Sequence, residues 1–167
     1  KVAVDTSRII GAEALIRWKH PEFGMISPAD FIPVFEKNSF IYSVDLFVWE
    51  KVCRMLRDWK SKGITGIPVS VNVSRTDLYH EALPETLTSM ITAYGLSPEE
   101  LHLEITESAY VQNSRQLPDA IRRLKEMEFI IEMDDFGSGY SSLNTLSELP
   151  IDVMKLDRLF LYQAEND

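Results

Sequence analysis

Six side chains stand where a buried strand ordinarily carries none of their kind. They are Glu13 in GAEALIRW, Asn72 in PVSVNVS, Glu104 in LHLEIT, the adjacent Asp134 and Asp135 in IIEMDDFGSG, and Lys155 in DVMKLD. A carboxylate taken out of water without a partner costs several kcal/mol, and a cation is the obvious compensator. Carboxylate and amide oxygens are hard ligands of the kind that Mg²⁺ and Mn²⁺ take. Neighbouring carboxylates at a turn can bridge two cations about 3.5–4 Å apart, the arrangement that activates water and clamps a phosphodiester. With three His, one Cys and no H-x-x-x-H or C-x-x-C spacing, the usual kind of zinc site is not expected.

Taken singly, each feature has a plainer reading. A lone Glu on a strand is ordinarily an edge or surface residue. The Asp-Phe-Gly of a kinase needs a Gly-rich loop, a strand Lys and a His-Arg-Asp segment upstream, and none is here. The G-S-G after Phe136 serves as a turn as readily as a phosphate nest, and Lys155 could merely snorkel. What these readings leave unexplained is the recurrence of such residues at the ends of successive strands.

Helical segments separate the strand-like ones, which predicts an α/β fold with a parallel sheet. Strand alternation places Val69, Val71 and Val73 on one face and Ser70, Asn72 and Ser74 on the other. It likewise opposes Leu101, Leu103 and Ile105 to His102, Glu104 and Thr106, and puts Glu13 and Arg17 on one side. An apolar outer row and a polar inner row fit a barrel with helices outside and a site at its C-terminal mouth. Asp134 and Asp135 would diverge on a regular strand, so the strand must end there for both to face the mouth. Gly137 and Gly139 make that turn easy.

Among helices, Ser27-Pro28-Ala29-Asp30 predicts an N-terminus. Val48, Val52, Leu56 and Trp59 predict a long helix from about Ser43 to Lys62, stopped by Gly63. A third covers about Leu83 to Tyr94 before Gly95, a fourth carries Leu117, Ile121 and Leu124, and a shorter one follows Ser141. Cys53, alone within the long helix, reads as a small buried apolar residue.

The bulk numbers bound the function. At 167 residues the chain makes one domain, short of the roughly 250 of a complete (β/α)₈ barrel. A formal charge of −9 excludes the basic footprint of a duplex nucleic-acid binder. It remains compatible with a small phosphorylated ligand where a metal neutralises both parties. No apolar run approaches the roughly 20 residues of a membrane span and no signal peptide is visible. The segment is therefore expected in the cytoplasm without membrane contact, whatever anchors the parent protein carries.

The segments GAEALIRW, SVNVS, LEITES, MDDFGSGYSSL and MKLDRLF occur in this order across nearly the whole chain. Together they closely resemble the EAL domain, the bacterial cyclic di-GMP phosphodiesterase, whose name motif is here Glu13-Ala14-Leu15. The resemblance implies a modified (β/α)₈ TIM-type barrel, of which residues 1–167 are a partial domain covering roughly the first six strands. It implies hydrolysis of cyclic di-GMP to linear pGpG with a two-metal site of Mg²⁺ or Mn²⁺, inhibited by Ca²⁺. The metal ligands would be Glu13, Asn72, Glu104, Asp134 and Asp135, and Lys155 would orient or activate the nucleophilic water. Arg17 would contact a ligand phosphate, with Leu15 also at the substrate. Glu107 would hold the loop after Asp135, Phe136 to Ser142, which couples dimer contacts to the site, and Asp157 would support the second metal or Lys155. A homodimer and fused GGDEF or sensory domains are the implied partners.

Two departures bear on activity. Ser138 replaces the more common Thr in the loop. Family members also continue into an E-G-V-E strand and a Q-G strand that bring a further Glu and a Gln. The chain ends at Asp167 before both, and its opening Lys1-Val2-Ala3-Val4 reads as the tail of a clipped strand. The alternative to the enzyme is a catalytically inactive EAL domain acting as a cyclic di-GMP receptor or interaction module.

Overall fold

The computed structural model describes residues 1–107, 109, 117–137 and 150–157. Its centre is a sheet of β1 (Ala12–Ala14), β4 (Val69–Asn72), β5 (Leu101–Thr106), β6 (Ile131–Phe136) and β7 (Val153–Leu156). These five lie in the order β1-β4-β5-β6-β7, every pair parallel. Between β1 and β4 the chain makes an antiparallel hairpin, β2 (Trp18–His20) with β3 (Gly24–Ile26), then α1 (Pro28–Lys37) and α2 (Ile41–Ser61). Helices α3 (Arg75–Leu78) and α4 (Leu83–Ala93) follow β4, and α5 (Leu117–Glu126) precedes β6. The result is the parallel half of a TIM-type barrel.

The two-residue period decides the layers. Val69, Val71, Leu101, Leu103, Ile105, Ile131 and Met133 are all buried in one core with Trp49, Leu87, Ile91, Ile121 and Leu124 from the covering helices. Burial of each such side chain contributes roughly 1.5–3 kcal/mol. The opposite row holds Ser70, Asn72, His102, Glu104, Thr106, Glu132 and Asp134, which places polar groups along the lumen. Pairing then aligns them: Ser70 lies beside His102, Asn72 beside Glu104, and Thr106 beside Asp134.

Helices α1, α2, α4 and α5 form where spacing and punctuation predict them, with small shifts, and the short α3 was not foreseen. Helix α1 starts at Pro28 after an extended Ser27, although the Ser27 hydroxyl makes no capping hydrogen bond. Helix α2 begins two residues before Ser43 and ends at Ser61; Gly63 then takes a left-handed φ of 77°, which suits a residue without Cβ. Its buried face is Ile41, Asp45, Trp49, Val52, Cys53 and Leu56. Cys53 is fully buried, and burial pushes its thiol up to about 12, so it serves as packing.

Two strand expectations need correction. The opening Lys1–Val4 is not a strand of the sheet; Val2 makes an isolated antiparallel bridge with Ile9. GAEALIRW is not one strand either, because β1 stops at Ala14 and Trp18 turns into the hairpin. Trp18 packs there edge-on against Phe31 of α1 at 5.6 Å, an aromatic contact that outweighs continued alternation. The helix after Ser141, the loop residues from Ser138 to Ser142, and Arg158 to Phe160 lie outside the described residues.

Candidate active site

Lys155 organises the mouth of the half-barrel. Carried by β7, its Nζ lies 3.1 Å from Glu13 Oε2 of β1 and 3.5 Å from Asp134 Oδ1 of β6, and it contacts Glu104 Oε1 of β5. Strands far apart in sequence thus converge on one ammonium. Burial would lower the Lys155 pKa, but hydrogen bonds to Glu104 and Glu13 outweigh it and raise the value. The Lys is therefore a fixed positive charge, not a snorkelling surface residue.

Glu104 is the buried member, 1% exposed. Burial raises its carboxyl to about 7; Lys155 pulls the other way, while Glu13 and Asp134 reinforce the rise. Both of its oxygens are buried; Lys155 contacts Oε1, and among the described residues no donor reaches Oε2. A carboxylate so placed calls for more positive charge than one shared ammonium supplies.

Asp134 and Asp135 reach the mouth by a route that alternation alone does not foresee. Strand β6 continues through Phe136 instead of ending at the pair. Between Met133 and Phe136 its register against β7 slips: three steps on β6 match two on β7, from Met154 to Leu156. That is a β-bulge with one extra residue. Asp135 carries a left-handed φ of 56°, and Phe136 returns to the core, 4% exposed. Asp135 is left outward beside Asp134, and burial, then Asp134 and Asp157, raise its pKa. A non-glycine residue held at positive φ is a cost of about 1–3 kcal/mol that clusters at working sites.

Beside these groups runs a cleft of about 520 Å³, lined by Glu13, Leu15, Arg17, Asn72 and Asp134 among others. Arg17 shares this cleft with Glu13, though by a bend after β1 and not by strand alternation. Its Nη1 donates to the Ile16 carbonyl at 2.8 Å, which leaves the guanidinium at the rim. Leu15 is half exposed in the same wall. Glu107, 3% exposed, accepts a hydrogen bond from the Gly137 amide at 2.8 Å, so it grips the start of the loop after β6. The Asp157 amide donates to the Phe136 carbonyl at 3.0 Å, extending the β6–β7 pairing past the bulge.

The donor set of Glu13, Asn72, Glu104, Asp134 and Asp135 suits a hard divalent cation by its oxygen chemistry and by the unpartnered Glu104 Oε2. Among the described residues, no three His, Cys, Asp or Glu side chains stand close enough to hold an ion as placed. The ammonium of Lys155 occupies the point where the carboxylates converge.

Sequence reasoning missed a second polar cluster lower in the lumen. Glu132, 1% exposed, accepts from Lys1 Nζ and is 2.6 Å from His102 Nδ1; Lys1 Nζ is also 2.6 Å from Ser70 Oγ. Burial would raise the Glu132 carboxyl, but His102 and Lys1 outweigh it and hold the value down at about 2. The signal was present, since Glu132 falls on the polar row two residues before Asp134. Trp49 was also missed: its Nε1 donates to the Asn72 carbonyl at 3.0 Å, fixing the end of β4.

Fold and site together define a TIM-type α/β domain with an acidic strand-end cluster around a lysine. The chain belongs to the EAL domain family, whose profile matches residues 1–167. It is 35% identical over 167 residues to the bifunctional diguanylate cyclase/cyclic di-GMP phosphodiesterase MucR of Pseudomonas aeruginosa, covering 100% of this chain and 24% of MucR. An uncharacterized signaling protein of Caulobacter vibrioides is 42% identical over 153 residues, 92% of this chain and 18% of that protein. This chain thus spans about a fifth to a quarter of these relatives' length. Among solved structures, the PaMucR phosphodiesterase in complex with c-di-GMP superposes with a TM-score of 0.90 at 34% identity, covering 99% of this chain and 67% of that one. No helix among the described residues is long and apolar enough to cross a membrane.

Proposed function

We propose that the parent protein is a cyclic di-GMP phosphodiesterase that opens one phosphodiester of the cyclic dinucleotide to give linear pGpG. The observation that carries this reading is the convergence of Glu13, Glu104 and Asp134 on Lys155 beside the Arg17 cleft. Its family membership and the named phosphodiesterase MucR support it.

Each residue then has a task that its surroundings allow. Arg17 at the rim offers a planar fork to the phosphate oxygens. Leu15 supplies an apolar wall beside it. Glu13, Asn72, Glu104, Asp134 and Asp135 would hold Mg²⁺ or Mn²⁺, which supply Lewis acidity and a water of lowered pKa. Lys155, a fixed ammonium, donates hydrogen bonds to the attacking oxygen and stabilises its negative charge. The attacking water oxygen forms a bond to phosphorus and gives up a proton as the phosphorus–ribose oxygen bond opposite breaks, and the departing ribose oxygen takes up a proton to become the free hydroxyl of the linear product. Glu107 keeps the loop at Gly137 in register with the bulge that presents Asp135, and Asp157 buttresses that bulge.

The test is to incubate the full-length parent with cyclic di-GMP in Mg²⁺ or Mn²⁺ and separate the nucleotides by chromatography. Conversion to pGpG that EDTA abolishes is expected. Unchanged cyclic di-GMP beside measurable binding would favour a receptor instead.

A further inference from the structure

Away from the acidic mouth, two more carboxyl groups that the proposed reaction does not use stand together, Asp45 lining the cleft and Asp77 buried behind its wall. Asp77 of α3 is fully buried, and Asp45 on the inner face of α2 is 8% exposed. Asp77 Oδ2 accepts from the Ser74 amide at 2.7 Å, and the Asp77 amide is 3.1 Å from Ser74 Oγ, a reciprocal cap on α3. Asp77 Oδ1 is buried with no donor. The buried carboxyl of Asp45 on α2 stands within hydrogen-bonding reach of Asp77, and as a carboxylate it has no proton to donate. Two ionised carboxylates have only acceptors to offer each other, and like charges so close cannot both persist in a buried site. A proton on Asp45 removes both difficulties, because it supplies the donor that Asp77 lacks.

The same face of α2 grips this turn a second time. One helical turn beyond Asp45, Trp49 donates to the Asn72 carbonyl at 3.0 Å. Asn72 and Arg75, at either end of that turn, both line the cleft with Asp45. We propose that Asp45 and Asp77 share a single proton as an acid–carboxylate pair, and that this clasp, with the Trp49 bond, positions the β4–α3 turn bearing Asn72 and Arg75. Asp45 is thus a positioning residue for the cleft wall, whatever reaction the cleft performs.

The surroundings favour the protonated form. Beside Asp45 stand Glu36 of α1 and Asp77 of α3; Arg75 of α3 lines the same cleft, and His80 stacks on Tyr42 of α2 at 4.1 Å. Burial, then Asp77, then Glu36 push the Asp45 carboxyl up to about 9. The sign follows directly. The folded state keeps a proton that the unfolded chain loses above about pH 4, so this contribution to stability falls as pH rises from about 4 to about 9.

Asp45→Asn keeps the shape, gives Asp77 an amide donor, and cannot ionise. Denaturant unfolding of parent and variant is compared from pH 5 to 10. The parent's unfolding constant should rise relative to the variant's by about tenfold per pH unit until the folded carboxyl titrates. In carbon-13 carboxyl spectra the parent should show Asp45 titrating near 9, with the amides of Val73 to Thr76 moving at the same midpoint. Those amides should stay still in Asp45→Asn. Parallel pH profiles overturn the proposal, and so does an Asp45 carboxyl that titrates in the ordinary range near 4. The parent's own titration decides the matter even where the variant fails to fold.

Discussion

Replacing Lys155 with Met removes the ammonium while keeping a side chain of similar length, and it tests whether charge convergence holds the mouth together. At 3.1 Å from Glu13 and 3.5 Å from Asp134, and an effective dielectric of about 20, each pair is worth about 5 kcal/mol before desolvation. Desolvating the ammonium offsets much of this, and breaking a buried ion pair costs about 3–5 kcal/mol in net terms. Lys155 is 24% exposed, so the lower end applies: about 3 kcal/mol at pH 8 in EDTA. Saturating Mn²⁺ restores positive charge and should shrink the loss to below about 1 kcal/mol, since ligand binding to the native state adds to its stability.

The pH dependence has a definite sign. The Glu104 carboxyl is held at about 7 in the folded state, above its unfolded value near 4.3. The folded state thus binds the extra proton across that window, and stability from this group falls as pH rises through it. Without Lys155 the carboxyl is pushed higher still, so the variant should be less impaired at pH 5.5 than at pH 8. Denaturant titrations at both pH values, with EDTA or Mn²⁺, provide the assay. An equal loss with and without metal at pH 8, or no loss at all, would refute the reasoning.

Two other perturbations separate the neighbouring groups. Arg17→Ala should weaken cyclic di-GMP binding about 10- to 100-fold, the worth of one charge-assisted contact, and leave Mn²⁺ affinity unchanged; calorimetry with nucleotide and with metal alone reads both. Glu132→Gln should destabilise the chain by about 2 kcal/mol at neutral pH, because His102 and Lys1 lose a buried partner. Since Glu132 is held at about 2, its contribution is present above its unfolded value and fades as pH falls toward 2; parent and variant should therefore converge in acid-denaturation curves. Retention of the full difference at pH 2 would contradict that assignment.

Much of the fold was legible because it depends on local rules. The alternation Val69, Val71, Val73 and Leu101, Leu103, Ile105 assigned the core face, and burial has no other way to satisfy a doubly covered strand. Helix α2 was readable to within two residues from its apolar spacing and Gly63. The first strand was less so: GAEALIRW alternates well, yet Trp18 leaves for the Phe31 contact, a partner at the far side of the hairpin.

By itself the sequence determined which polar and charged residues, Glu13, Asn72, Glu104 and Asp134, lie on the inward rows, since side-chain direction on a strand has period two. It also determined the helix that must cover them and the family to which the motifs belong. Only the tertiary structure decided that Lys155 sits among three of those carboxylates, because that requires β1, β5, β6 and β7 to close toward one point. It alone placed Asp135 beside Asp134, through a bulge whose register is set by β7. And it alone brought Asp45 against Asp77: the two lie on separate helices, and no periodicity within one segment foretells which groups the packing of two segments will force to share a proton.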